Sequence, residues 1–302
     1  GENDFSLLVN EDRTLNTFTG SQGNPAPGEG KHNLNTAVGG EQAFAFDADT
    51  LGASLSMWLK ATFDSPSAPS EWWIFLSSTS VSVFKLLVNN STKEITIEFS
   101  SSFRNSLLVS SFRESDNVGN YPFSVSGVWS NIIVQIPTFA QGNDIKLFSN
   151  GAELVPFASN ILADAGTPPS ASSVILGSTR PTAIAGLQTD VFGPQIFNNP
   201  FRGNLGHIGI WDVQLSQSDI NEIVNPSTGR PFDLDLNVAS GGYTNNFNLV
   251  QYWKPGAIAD VNQFGKSFLS GGMNLQNGSD FGGFTAWTEQ IPLANRVNDV
   301  PA

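Results

Sequence analysis

Cysteine is absent from the 302 residues, which excludes disulfides, thiolate nucleophiles and cysteine-ligated zinc or iron–sulfur centres. Histidine is nearly absent, with only His32 and His207. A multi-histidine metal site or a Ser-His-Asp triad would have to use one of them, and nothing nearby in sequence recommends either. Charge is also scarce: 14% of residues carry one, against roughly 25% in an average soluble protein. Basic residues are the scarcer sign, 14 Lys and Arg facing 27 Asp and Glu for a net −13. Without a basic stripe to neutralise phosphates, nucleic acid is not an expected partner. An anionic membrane surface would repel the chain. No run of 18 apolar residues occurs, so no membrane span is expected. The opening Gly1-Glu2-Asn3-Asp4 is acidic and polar, unlike a signal peptide. Either a signal was removed ahead of it or only an initiator Met was lost.

Hydrophobic residues make up 39%, with 29 Gly, 17 Pro and 23 Phe. The polar surface is therefore carried by Ser, Thr, Asn, Gln and Gly, as in a β-rich, loop-rich fold and unlike a helical bundle. Short runs rich in β-branched and aromatic residues recur at short intervals. They are Phe5–Val9, Ala43–Phe46, Ser54–Phe63, Trp72–Leu76, Val81–Val88 and Glu94–Phe99. After Trp129 follow Asn131–Ile136, Asp144–Ser149, Val174–Gly177 and His207–Trp211. One helix is expected over Leu215–Val224, with Ser216 as N-cap, Asp219 three residues on and Pro226 beyond its end. Such a pattern predicts an all-β fold, a two-sheet antiparallel sandwich with one short helix and irregular terminal arms. Three segments are expected: an extended N-terminal arm over 1–42, the sandwich over 43–229, and an irregular C-terminal arm over 230–302. That last arm wraps the sandwich or docks on a partner, with Tyr252-Trp253 as its anchor.

Four landmarks in order carry a family resemblance. Phe46-Asp47 runs into Ser54-Leu55-Ser56-Met57-Trp58-Leu59-Lys60. Trp129-Ser130-Asn131-Ile132-Ile133-Val134 comes next, then Ile145-Lys146-Leu147-Phe148-Ser149-Asn150-Gly151. The fourth is Phe201–Asp212 followed by Leu215-Ser216-Gln217-Ser218-Asp219-Ile220. Together, over about residues 43–224, they resemble the laminin G-like, concanavalin A-like jelly-roll superfamily, which includes pentraxins, many glycan-binding modules and some glycosidases. Trp58, Trp129 and Trp211 are expected to fill the sandwich core, and Asn150-Gly151 is the pair that a type I′ hairpin turn requires.

The superfamily's glucanases place their carboxylates on one strand as Glu-x-Asp-x-x-Glu, a string missing here. The nearest equivalent, Glu94-Ile95-Thr96-Ile97-Glu98, reads as the polar face of a strand whose Ile95, Ile97 and Phe99 point inward. No catalytic residue is assigned and no enzyme is expected. No cofactor is required. Calcium is the ion the resemblance implies, with Asp47, Asp49 and Asp144 as candidate oxygen ligands that read equally as strand-end Asx turns. For glycan or partner contact the candidates are aromatics flanked by amides: the Trp72-Trp73 pair, on opposite strand faces, and the loop holding Phe192, Gln195, Phe197, Asn198 and Asn199. Packing is the alternative role for each. Asn89-Asn90-Ser91-Thr92 and Asn277-Gly278-Ser279 match glycosylation sequons, which matter only in a eukaryotic secreted protein.

The expectation is a non-catalytic structural or adhesion protein of an extracellular particle. A virion surface component, either a capsid decoration or a tail or fibre protein, fits a cysteine-free chain made in the cytosol and released by lysis. Its expected partners are other structural proteins of the particle, cell-surface glycans and further copies of itself. A secreted bacterial lectin or carbohydrate-binding module is the alternative, and a divergent polysaccharide hydrolase a weaker one.

Overall fold

Alternation along Ala53–Ala61 sets the architecture. Ala53, Leu55, Met57, Leu59 and Ala61 all point into one apolar core, as a two-residue side-chain period demands. In the computed structural model the described residues are 51–63, 83–89, 91–100, 106–141, 144–163, 203–227, 229–254 and 299–301, with the backbone of short strands beyond them.

In chain order the strands are β1 Ser6–Val9, β2 Leu34–Thr36, β3 Phe44–Phe46, β4 Ala53–Ala61, β5 Glu71–Ser78, β6 Val83–Asn89, β7 Ile95–Ser100 and β8 Ser106–Phe112. They continue as β9 Trp129–Ile136, β10 Lys146–Ser149, β11 Ala152–Glu153, β12 Ala158–Ala163, β13 Val174–Leu176, β14 Ala183–Ile184, β15 Leu187–Gln188 and β16 Phe197–Asn198. After β17 Gly203–Trp211 comes helix α1, Gln217–Val224, then β18 Leu249–Trp253, β19 Leu275–Asn277 and β20 Arg296–Val297. Sheet A runs β11-β10-β9-β4-β17-β1-β20, with β18 also on β17. Sheet B runs β12-β8-β7-β6-β5-β14-β2-β19. Every pairing is antiparallel, as the sequence predicted for a two-sheet sandwich. One edge of β17 is taken by β4, and the other is shared by β1 at Gly203–Leu205 and β18 at Ile208–Trp211.

Between the sheets, the β4 residues meet Phe84, Leu86 and Val88 of β6, Ile95, Ile97 and Phe99 of β7, and Leu108 and Phe112 of β8. The hairpin β10–β11 turns at Asn150 (φ +48°) and Gly151 (φ +88°), both left-handed as a type I′ turn needs. Asn150 Oδ1 also accepts from the Asn131 amide at 2.8 Å.

Sheet A is buried on its outer face too. A second apolar cluster holds Ile133, Phe148, Trp211, Ile220, Ile223, Tyr243 and Tyr252 beneath α1 and the segment that follows it. Strands covered on both sides read as near-continuous buried runs, and every residue of β17 is buried. This layer corrects the expected place of the tryptophans. Trp211 lies in the outer cluster, donating from Nε1 to Tyr243 Oη at 3.0 Å. Trp58 and Trp129 meet Phe232 edge-on at 6.1 and 5.6 Å. Among the described residues the tryptophan of the inter-sheet core is Trp253. The sequence pattern showed burial but not which side of the sheet, because a covering layer makes both faces apolar. Gly206 and Gly209 make room for it, since a Cβ at Gly206 would overlap the Phe232 ring and one at Gly209 the Trp211 ring.

His207 is part of the same layer. It stacks on Phe232 at 4.3 Å, and its Nδ1 lies 3.4 Å from Tyr252 Oη, which itself donates to Leu234 O. Burial first, and Lys254 second, hold the imidazole well below its ordinary pKa, so it packs as a neutral ring.

Candidate functional site

The residues singled out from sequence fall in several places. Trp72 and Trp73 lie in β5, in register with Val88 and Leu87 of β6. Val88 belongs to the inter-sheet core and Leu87 does not. Phe197 and Asn198 form β16, in register with Gln188 and Leu187. Phe192, Gln195, Asn199, Asp47 and Asp49 lie outside the described residues. Asp144 is exposed just ahead of β10. Among the described residues there is no cluster of three or more His, Asp or Glu able to hold a metal ion.

The Glu94–Glu98 string has the strand geometry read from its pattern. Ile95, Ile97 and Phe99 are fully buried, and the carboxylate of Glu98 pairs with Lys85 of the neighbouring strand at 2.7 Å. Thr96, between the two glutamates, faces Ser111 across the ladder, with their hydroxyls 3.3 Å apart. The Glu98 carboxylate is thus engaged in a cross-strand ion pair on a half-exposed sheet face.

The more informative site lies where α1 meets the chain that follows it. Ser216 caps the helix and Asp219 completes the capping box, as the sequence predicted. The Asp219 carboxylate does more than cap. It accepts from the backbone N–H of Ser216 (3.0 Å), Thr244 (2.7 Å) and Asn245 (3.3 Å), and from Asn245 Nδ2 (2.7 Å). Glu222, one helical turn on, accepts from the amide and hydroxyl of Ser227 at 2.8 and 2.7 Å and from the Gly242 amide at 3.2 Å. Two carboxylates on one face of α1 thus fasten the 227 and 242–245 segments. Burial alone would raise the Asp219 pKa. The bonds from Ser216, Thr244 and Asn245 outweigh it, and the carboxyl lies below its ordinary value. Glu222 is lowered by Ser227 and then Gly242.

The fastened segment leads into a single 3₁₀ turn, Asn245–Asn248. Phe247 projects from it with 91% of its surface exposed. Among the described residues the next most exposed aromatic is Phe157 at 38%, and the Arg113 guanidinium covers that ring at 4.6 Å. Asn246 Nδ2 donates to Asn237 O at 3.2 Å, which ties the turn to the segment ahead of it. Beneath it the Asp212 amide donates to Asn248 O at 3.0 Å. Asn245, Asn246 and Asn248 flank the ring in sequence. A solvent-facing aromatic on a hydrogen-bonded turn suits a ligand that presents a C–H face. Reading residues 230–302 as an irregular arm hid this turn. Its signature, Asn-Asn-Phe-Asn, is the same aromatic–amide composition that drew attention to Phe197-Asn198-Asn199.

No protein-family model matches the sequence, and no curated protein does. Among solved structures, the native heptameric SAP-like pentraxin from Limulus polyphemus is similar over 76% of this chain and 87% of its own, at 14% identity and TM-score 0.42. A putative carbohydrate binding protein from Bacteroides ovatus is similar at 12% identity and TM-score 0.44, over 81% of this chain and 57% of that one. Domains LG4-5 of the mouse laminin alpha1 chain are similar at 10% identity and TM-score 0.38, over 61% of this chain and 42% of theirs. These neighbours are concanavalin A-like jelly-roll sandwiches.

Proposed function

We propose that this chain is a non-catalytic adhesion protein whose sandwich binds glycans and which serves on the surface of an extracellular particle, as a capsid decoration or a tail or fibre component of a virion. The observation that supports binding is Phe247, a solvent-facing aromatic on a turn fastened by a buried carboxylate. An apolar ring this exposed stabilises nothing in the isolated fold, whereas a stacked ligand would cover it. The engaged Glu98 and the neutral packed His207 argue against hydrolysis.

A second reading is a secreted lectin or carbohydrate-binding module, in which the exposed Phe247 would serve the same contact. Light scattering on the purified chain, with and without calcium, separates the readings. A stable trimer or larger assembly is expected for a particle protein. A monomer whose melting point rises with calcium would replace that reading with the module.

A further inference from the structure

We infer that residues 230–239 form a cover that acid lifts from the outer face of sheet A, with His207 of β17 as its trigger. The ring is 5% exposed and lies flat against Phe232, centroids 4.3 Å apart and planes 13° from parallel. Its neighbours fix its tautomer. Tyr252 Oη has one proton and donates it to Leu234 O at 3.2 Å. The His207 Nδ1 facing that oxygen at 3.4 Å therefore carries the ring hydrogen. Nε2 is left as the bare nitrogen, buried and, among the described residues, without a hydrogen-bond partner. A proton arriving from water adds at Nε2 and meets no acceptor there. An imidazolium so placed is costly unless the site opens to water.

The surrounding charges do not offset that cost. Burial first, and Lys254 second, favour the neutral ring. The segment of β18 brings Tyr252 and Lys254, β4 brings Lys60, paired with Asp299, and β1 brings no titratable side chain. The cover itself brings Arg230 and Asp233, paired with each other at 3.2 Å, and Asp235, whose carboxylate accepts from Asn237. The cover is also the side able to yield. Leu205 and Ile208 of β17 are locked into the inter-sheet core, whereas residues 231–239 run as a 3₁₀ turn and irregular backbone. The Tyr252 and Tyr243 hydroxyls hold them through Leu234 O and Leu236 O. Linkage gives the sign. The open form takes up its proton near the ordinary 6.5, and the closed form only well below it. The cover is therefore fully stable above that value, and opening gains up to about tenfold per pH unit as pH falls beneath it.

Hydrogen exchange on the full chain at pH 7 and pH 5, corrected for the intrinsic effect of pH, provides the test. In wild type the Asp233 and Val238 amides, bonded to Arg230 O and Asp235 O, should exchange about tenfold faster or more at pH 5. Ile97 in the middle of sheet B, and Thr244, held by an Asp219 still ionised at that pH, should stay protected. The His207 ring, followed by NMR, should titrate together with the opening. His207→Phe keeps a stacking ring that cannot titrate, and should abolish the pH response; His207→Gln should do the same and serves if the first variant does not fold. Replacing the chain's other histidine, His32→Asn, should leave the response in place. A cover unchanged between pH 7 and pH 5, a response retained in either folded His207 variant, or acceleration spread equally to Ile97 would each overturn the inference.

Discussion

Replacing Asp219 should loosen the join between helix and turn, and the size of the effect follows from its bonds. Asp219→Ala removes the capping box, worth about 1 kcal/mol. It also leaves the Thr244 and Asn245 amides without their acceptor; both are partly reached by water, so each costs about 0.5–1.5 kcal/mol. The sum is about 2–4 kcal/mol, or about 3–6 °C in melting temperature for a chain of this size. Asp219→Asn keeps one acceptor oxygen but turns an NH2 towards donors, and should lose about half as much. The pH dependence has a definite sign. Folding lowers the Asp219 pKa from its ordinary 3.8, so its contribution is full above that value and is lost as pH falls through the folded-state value. Urea unfolding from neutral to acid pH, with hydrogen exchange at Thr244 and Asn245, reads both effects. An Asp219→Ala protein within about 0.5 kcal/mol of wild type, with both amides still protected and the acid limb unmoved, would refute the fastening role.

Two further substitutions probe the covering layer and the chain end. Gly206→Ala places a methyl group in the Phe232 ring and should cost about 1–3 kcal/mol through overpacking; near-UV circular dichroism should lose part of its tryptophan signal, because Trp58 and Trp129 both rest on that ring. Asp299→Ala removes the partner of Lys60 and the acceptor of Trp129 Nε1 at 2.9 Å; the half-exposed site limits the loss to about 1 kcal/mol, with a change in tryptophan fluorescence as its marker.

Much of the framework was legible because its signals are local. The Ser216–Asp219 capping box, the left-handed Asn150-Gly151 turn and the inward Ile95, Ile97 and Phe99 need only short-range pattern, and each is present. β8 was missed because Leu107-Leu108-Val109 is an unbroken apolar run between serines, with no alternation to mark a strand. The Phe247 turn was missed for a different reason. Nothing in the string around Phe247 says that Asp219, more than twenty residues earlier, will hold it rigid, since that bond exists only after the segment folds back over sheet A. Capping chemistry showed Asp219's first role, and tertiary structure added the second.

The chain's last residues also bear on when the protein can fold. Asp299 meets Lys60 across 239 positions and Trp129 across 170, and β1 reaches β17 through Leu7 and Leu205. Contacts so remote in sequence form only once their later partner has been made, and closing them is slow. Before β18 is made, β17 carries the Ile208–Trp211 part of that edge unpaired, a template for another chain's strand. The yield of folded protein should therefore fall when Asp299 is removed and vary with expression temperature.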